Sequence, residues 1–135
     1  MGDFRARSID APRERPAPRV LFGMTATGEA RRIELDRTTL VVAVKPECDG
    51  CRDFLRGDLS ELAGVDVVVV TATASKEWRG AANEVLVAPE LMRELDIRCA
   101  PFYVLVDPKS EKVVREGVVF GPSQVAAEIA SALRP

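Results

Sequence analysis

Short apolar runs separated by polar turns dominate the chain from residue 19 onwards. The runs at 39–44, 65–70 and 102–107 are rich in valine and in other apolar residues. Apolar runs of this length, without strict alternation, are typical of strands that are covered on both faces of a sheet. The pattern therefore predicts a sheet with at least three buried strands.

Weaker strand signals surround these runs. An apolar segment and an alternating segment enclose a Thr-Gly-Glu turn at 27–29, which predicts a β-hairpin. An Asp-Pro-Lys-Ser turn follows the run at 102–107 and predicts an antiparallel partner for it. The strands predicted from these weaker signals are 20–22, 32–36, 85–87 and 112–115.

Helical periodicity appears between the first two buried runs. Apolar residues recur at near-helical spacing from Cys51 to Leu62, and Ala63-Gly64 follows, which predicts one amphipathic helix that closes at this dipeptide. A strand, a helix and a strand within about thirty residues are typical of a βαβ unit with parallel strands. Further helices are predicted at 77–82, at 89–95 and from Pro122 or Ser123 to Leu133.

The composition excludes several kinds of catalytic and metal-binding site. The 135 residues include no histidine, 19 basic and 21 acidic residues, with a net charge of −2. The absence of imidazole excludes Ser-His-Asp and Cys-His catalysis and every His-ligated metal site. The near balance of charge argues against nucleic acid as a partner. What remains is chemistry by thiol, carboxylate, lysine or backbone.

Residues 1–18 differ from the rest of the chain. They carry four arginines and three prolines without apolar periodicity, which predicts a flexible tail ahead of a single domain at 19–135. The first twenty residues contain no apolar run as long as a secretory signal requires, and no later stretch is long enough to span a bilayer. We therefore expect a cytoplasmic chain without a membrane partner.

Three cysteines are the clearest chemical signal. Cys48 and Cys51 form a C-x-x-C, and Cys99 stands alone, which does not fit a secreted disulfide framework. The C-x-x-C follows a buried strand and opens a predicted helix, so Cys48 lies where unpaired N–H groups and the helix dipole favour a thiolate. A second thiol one helical turn away permits thiol-disulfide exchange.

Charged neighbours act on Cys48 in both directions. Glu47 and Asp49 oppose its ionisation, whereas Lys45 and Arg52 favour it. An exposed carboxylate ~8 Å away contributes about 1 kcal/mol at an effective dielectric of ~40, which is less than a helix terminus commonly supplies. We therefore expect a reductant or a mild exchange catalyst, with these four residues and Cys99 as modulators of the pair.

The order of the predicted elements around the C-x-x-C resembles the thioredoxin fold. The segments V-A-P-E-L at 87–91 and A-P-F-Y-V-L-V-D at 100–107 further resemble the TlpA/ResA redoxin branch, which includes MauD-like proteins. The resemblance covers roughly residues 19 to 133. It implies an α/β fold of the thioredoxin-like type: a central mixed β-sheet flanked by helices, with an N-terminal β-hairpin extension.

The resemblance also implies roles for individual residues. Cys48 would be the attacking thiol and Cys51 the resolving thiol. Pro101 would be a cis-proline that faces them, and the backbone of Ala100 would pair with an extended substrate. No cofactor is implied. The implied partners are a disulfide-containing protein or a small thiol substrate, together with an upstream reductant.

Four positions depart from ordinary thioredoxins. Asp49-Gly50 stands between the cysteines in place of Gly-Pro, and Glu47 stands in place of the tryptophan that often precedes the motif. Val42 aligns with the buried acid of the central strand. These departures imply different proton handling and leave the substrate open.

Two other functions fit the same residues. A zinc module could use Cys48, Cys51 and Cys99 with a carboxylate or a neighbouring chain's thiol as the fourth ligand. A non-catalytic binding or assembly module could use the same scaffold with the thiols secondary. Cys99 is interpreted as a small, partly buried apolar filler, and alternatively as a third redox thiol, an intermolecular disulfide partner or a metal ligand. Trp78 is interpreted as a packing or surface residue, and alternatively as part of the site.

Overall fold

Seven strands form the centre of the part of the chain that the structure describes. The structure is a computed structural model that describes residues 15–133. The strands are β1 (Val20–Met24), β2 (Ala30–Glu34), β3 (Thr39–Val44), β4 (Asp66–Thr71), β5 (Val85–Val87), β6 (Phe102–Asp107) and β7 (Lys112–Val118). They form one sheet in the spatial order β2-β1-β5-β4-β3-β6-β7. Strands β3, β4 and β5 are parallel, and the other pairs are antiparallel. The mixed sheet and the N-terminal hairpin predicted from the sequence are confirmed.

Short helices cover both faces of this sheet. The α-helices are α1 (Asp49–Arg56), α2 (Pro89–Glu94) and α3 (Pro122–Ile129), and the 3-10 segments are Leu59–Leu62, Lys76–Trp78 and Ala130–Leu133. Within residues 15–133, none of these helices has the length and apolar character needed to cross a bilayer. The helix predicted at 77–82 is instead the 3-10 segment Lys76–Trp78.

The sheet divides the core into two clusters. All six residues of β3 are buried, and alternate side chains point to opposite faces of the sheet. Val41 and Ala43 belong to the cluster that includes Leu91 of α2. Leu40, Val42 and Val44 belong to the cluster that includes Phe54 of α1 and Val125 of α3. The carboxyl end of β3, which leads into α1, is therefore fixed by packing on both sides.

The segment after the C-x-x-C consists of two short helices rather than one. Helix α1 ends at Arg56, and the N–H of Gly57 closes it by donating to the carbonyls of Asp53 and Phe54. A Cβ on Gly57 would lie 3.0 Å from Cγ of Pro122, so α1 meets α3 at a position without a side chain. The prediction of a single helix that runs to Ala63-Gly64 is wrong. The apolar residues at near-helical spacing lie instead on α1 and on the 3-10 segment that follows it.

Residues 15–18 pack against the domain. The Arg15 guanidinium donates from Nε to the Leu95 carbonyl and from Nη2 to Oε1 of Glu116, both at 2.7 Å. Ala17 is buried, and its N–H donates to the Glu111 carbonyl at 2.9 Å. The predicted flexible tail therefore does not extend to residue 18, because these polar and apolar contacts fix its last four residues. Residues 1–14 lie outside the described residues.

Candidate redox site

Cys48 occupies the N-cap position of α1. Its backbone is extended, with φ −126° and ψ 111°, and its Sγ accepts a hydrogen bond from the Cys51 N–H at 3.2 Å. The side chain is half-buried. A helix N-terminus stabilises negative charge through its dipole and its unpaired N–H groups. The position predicted for Cys48, at the junction of β3 and α1, is confirmed.

Cys51 lies one turn into α1 and is fully buried. Its Sγ accepts a hydrogen bond from the Lys45 N–H at 3.4 Å. Burial, followed by the hydrogen bond with Cys48, raises the pKa of Cys51 to about 12. Cys51 therefore stays protonated at neutral pH, and Cys48 is the member of the pair that solvent reaches.

A proline ring lies against the first turn of α1. The Ala100–Pro101 peptide bond is cis, as the resemblance implied. A Cβ on Gly50 would lie 3.4 Å from Cγ of Pro101, so the ring faces the dipeptide between the two cysteines. The structure thus brings Pro101 together with the C-x-x-C, and the absence of a side chain at Gly50 leaves the ring uncovered there.

The charged residues predicted as modulators of Cys48 differ in exposure and in their ion pairs. The side chains of Lys45, Glu47 and Asp49 are exposed. The Arg52 guanidinium donates from Nη1 to Oδ1 of Asp49 at 3.2 Å and from Nε to Oε1 of Glu77 at 2.9 Å. Its positive charge is therefore paired with two carboxylates.

Glu77 is a site residue that sequence reasoning missed. Its Oε2 accepts a hydrogen bond from the Glu47 N–H at 2.8 Å, and Glu47 itself has a left-handed backbone with φ 57°. The hydrogen bond from Arg52, followed by that from the Glu47 N–H, lowers the pKa of Glu77. The local sequence contains no signal that would place Glu77 at the C-x-x-C, because the contact is long-range and depends on the turn that follows β4.

Trp78 packs beside this acid. Its side chain is buried in the cluster that contains Cys51 and Phe54, and its Nε1 donates to the Thr73 carbonyl at 3.1 Å. The interpretation of Trp78 as a packing residue is confirmed. It anchors the 3-10 segment that carries Glu77.

Cys99 lies at the surface. Its side chain is exposed, so the interpretation of this residue as a partly buried apolar filler is wrong. The reason is that the segment leading to the cis-proline runs along the surface rather than through the core. Within the described part of the chain, no three His, Cys, Asp or Glu side chains are grouped so as to hold a metal ion. The zinc alternative thus lacks a preformed ligand cluster there.

A segment with two exposed apolar residues, Val118–Gly121, adjoins the proline. The Val119 N–H donates to the Pro101 carbonyl at 3.1 Å. Phe120 is 84% exposed, and Val118 is also exposed. The Gln124 side chain fixes the loop, since its Oε1 accepts from the Phe120 N–H at 2.8 Å and its Nε2 donates to the Val118 carbonyl at 2.9 Å. An exposed aromatic residue thus directly follows Val119, which bonds to the Pro101 carbonyl, a feature that sequence reasoning missed.

Solved structures share this arrangement of strands and helices. The thioredoxin domain of the thiol-disulfide oxidoreductase BVU-2223 from Bacteroides vulgatus matches with a TM-score of 0.66 and 17% identity, over 89% of this chain and 96% of that one. A thiol:disulfide interchange protein of the thioredoxin family from Chlorobium tepidum matches with a TM-score of 0.60 and 20% identity, over 91% and 99%. StoA from Bacillus subtilis matches with a TM-score of 0.59 and 19% identity, over 84% and 98%.

These matches establish that the chain has a thioredoxin-like fold. No protein-family model matches the sequence, and no curated protein matches it. The proteins from Bacteroides vulgatus and Chlorobium tepidum carry the names of thiol-disulfide exchange proteins and of the thioredoxin family, in agreement with the redoxin resemblance seen in the sequence. The protein therefore combines a thioredoxin-like fold with a pair of cysteines, Cys48 and Cys51, that follows the carboxyl end of β3.

Proposed function

We propose that this protein is a thiol-disulfide oxidoreductase that reduces or exchanges disulfides through Cys48 and Cys51. A thioredoxin-like fold alone does not define an activity, because the same scaffold also serves binding roles. The observation that supports the proposal is the asymmetry of the pair: an accessible sulfur at the N-terminus of α1 lies beside a buried thiol one turn away. This is the arrangement that attack and resolution require.

The reaction proceeds by two exchanges at sulfur. The Cys48 thiolate attacks one sulfur of the substrate disulfide, so a Cys48–substrate bond forms, the substrate S–S bond breaks, and the other sulfur leaves as a thiolate that takes a proton from solvent. Cys51 then attacks Cys48 Sγ, so the Cys48–Cys51 bond forms and the Cys48–substrate bond breaks. The proton that Cys51 loses passes by way of solvent to the departing substrate thiolate. Two electrons pass to the substrate, and an upstream dithiol reductant restores Cys48 and Cys51.

The surroundings of the pair favour a protein as the substrate. We assign the backbone of Ala100 and the ring of Pro101 to substrate binding, beside the uncovered Gly50. The exposed Phe120 next to them offers apolar area that an extended polypeptide can cover. A small disulfide would contact the sulfur without reaching this side chain.

We further propose a redox direction and a cell compartment for the reaction. We assign the protein as a reductant or a mild exchange catalyst in a reducing, cytoplasmic compartment. An exposed lone thiol such as Cys99 is kept free in such a compartment, whereas oxidising compartments pair thiols.

Trapping with a Cys51→Ala variant of the full chain tests the proposal. Without the resolving thiol, the mixed disulfide between Cys48 and its substrate should accumulate, and mass spectrometry of the adduct should locate the bond and identify the substrate. A Cys48→Ser/Cys51→Ala variant is the matched control, since it keeps Cys99. No adduct, or equal adduct in the control, would contradict the proposal.

A second experiment, with the single variant Cys48→Ser, separates the alternative of a binding module. If the Cys48→Ser variant keeps both its partner and its cellular role, the thiols are secondary, and the exposed Phe120 surface serves docking alone. Loss of the role in Cys48→Ser together with preserved binding supports the redox function.

A further inference from the structure

Glu77 reaches the C-x-x-C from a different part of the chain. It lies on the 3-10 segment after β4, yet each of its carboxylate oxygens accepts a hydrogen bond from the region of Cys48. One bond comes from the Glu47 N–H at 2.8 Å, and the other comes from Nε of Arg52 at 2.9 Å. The carboxylate therefore joins the residue before Cys48 to the helix that begins after it.

The segment that carries Glu77 is itself anchored. The Glu77 N–H donates to Oγ of Ser75 at 3.1 Å, which caps the 3-10 turn. The next residue, Trp78, is buried in the core cluster of Cys51 and Phe54. A carboxylate placed by a cap on one side and by a buried indole on the other is suited to fix the geometry of a neighbouring loop.

The loop that Glu77 holds needs such support. Glu47 adopts a left-handed backbone conformation, with φ 57°, which a residue with a side chain adopts at an energetic cost. The hydrogen bond from its N–H to Glu77 pairs a backbone donor in that conformation. Since Cys48 follows directly, the orientation of its Sγ depends on this turn.

The ion pair between Glu77 and Arg52 also changes the balance of charge near Cys48. Lys45 and Arg52 are cations on either side of the C-x-x-C, and Glu47, Asp49 and Glu77 are anions there. On the segment that leads to the cis-proline, Arg98 pairs with Asp96 at 2.8 Å. Arg52 would favour the thiolate of Cys48 more strongly if Glu77 did not balance its charge.

We propose that Glu77 is a positioning residue for Cys48, which fixes the turn at Glu47 and pairs Arg52, and thereby limits how strongly the Cys48 sulfur is activated. The inference rests on the proposed function only in the sense that Cys48 is the reacting thiol. The Glu77→Gln variant keeps an oxygen acceptor and removes the negative charge. The Glu77→Ala variant removes both.

The first measurement is the rate at which iodoacetamide alkylates Cys48 in the reduced full chain, across acidic and neutral pH. In this reaction the sulfur forms a bond to carbon, iodide leaves, and the thiol proton passes to solvent. Peptide mass spectrometry separates Cys48 from the exposed Cys99. We expect Cys48 in Glu77→Gln to react roughly threefold faster below neutral pH, because the Glu77 charge no longer balances that of Arg52 beside the thiolate.

The second measurement is the equilibrium of Cys48 and Cys51 with glutathione. A variant that stabilises the thiolate stabilises the reduced form, so Glu77→Gln should shift the equilibrium toward the dithiol by a similar factor. In Glu77→Ala the Glu47 amide should also exchange with deuterium faster than in Glu77→Gln, because its acceptor is gone.

Glu84→Gln is the matched control. Glu84 forms a two-bond ion pair with Arg31 on the hairpin, at 2.7 and 3.2 Å, so the same carboxylate-to-amide change is made away from the C-x-x-C. Faster alkylation of Cys48 in Glu77→Gln, without faster alkylation in Glu84→Gln, supports the proposal. Unchanged alkylation and equilibrium in both Glu77 variants, or the same change in Glu84→Gln, would overturn it. Because alkylation needs no exchange, a chain without oxidoreductase activity still gives a decisive result.

Discussion

The two thiols of the C-x-x-C differ in their surroundings far more than their spacing suggests. Cys48 Sγ is accessible and accepts an N–H at the start of α1, whereas Cys51 is fully buried between that helix and the sheet. Burial keeps the second thiol protonated and unreactive until the first has captured a partner. The order of attack and resolution therefore follows from burial.

A pH dependence of stability follows from Cys51. Its pKa is raised by burial to about 12 from an ordinary value of 9.0, so the folded state holds this proton more tightly than the unfolded state does. The resulting stabilisation is complete below pH 9.0 and is lost as the pH rises toward 12. The free energy of unfolding of the reduced chain can be measured in urea. Above pH 9.0 it should fall more steeply with pH in the wild type than in Cys51→Ala.

The comparison with Cys51→Ala isolates this contribution. Burial also raises the pKa of Tyr103, but that group titrates equally in both proteins. Parallel stability curves for the two proteins across the alkaline range would contradict the account.

Sequence reasoning found the residues whose chemistry is local. The C-x-x-C and the proline of the A-P-F-Y string could be recognised, because each belongs to a short pattern. Glu77 could not, because it meets Glu47 and Arg52 only through the turn after β4. Phe120 could not either, since an aromatic residue between a strand and a helix is more typical of a core than of solvent.

At the level of whole elements, the buried strands were the most predictable. Strand β3 was predicted at its observed bounds, because an apolar run covered on both faces has few other structures open to it. The end of α1 was not predictable, because it depends on the approach of Pro122 to Gly57, which are distant in sequence. Element type follows from local pattern, and element ends follow from tertiary contacts.

The loop between β7 and α3 carries a prediction about substrate size. Phe120→Ser should lower kcat/KM for reduction of a protein disulfide, such as that of insulin, by roughly tenfold, because an apolar anchor is lost. The rate with 2-hydroxyethyl disulfide should stay unchanged, because a small substrate does not reach the side chain. Steady-state assays with both substrates provide the measurement.

Phe22→Ser is the control for this change. Phe22 is 63% exposed on β1, which is separated from β3 by β5 and β4 in the sheet. An equal loss with the small disulfide, or an equal loss in Phe22→Ser, would remove the assignment of Phe120 to substrate binding.

On the scale of the whole molecule, residues 15–18 join parts of the domain that are distant in sequence. Arg15 contacts the carbonyl at the end of α2 and the Glu116 carboxylate on β7, and the Arg15 carbonyl accepts the Val113 N–H at 3.2 Å. Both side chains of the ion pair are largely buried, at 11% and 9% exposed. This contact was hidden in the sequence, since arginine and proline there are equally typical of a solvated tail.

Arg15→Ala should therefore destabilise the domain by roughly 3 kcal/mol, because it leaves a buried carboxylate without this partner. Arg93→Ala is the control, since Arg93 pairs with Glu90 in solvent and such a pair is worth under about 1 kcal/mol. Denaturant unfolding of both variants measures the difference. Equal small effects would show that residues 15–18 contribute little to the fold.

We expect Cys48 and Cys51 to form a reversible redox pair. The most direct test is a titration of the full chain in glutathione buffers, with every disulfide located by peptide mass spectrometry. We expect a Cys48–Cys51 disulfide whose midpoint potential does not rise well above about −180 mV, so that it lies in the range of mild exchange catalysts and reductants. Failure of the two residues to pair with each other, or a midpoint in the strongly oxidising range, would contradict it.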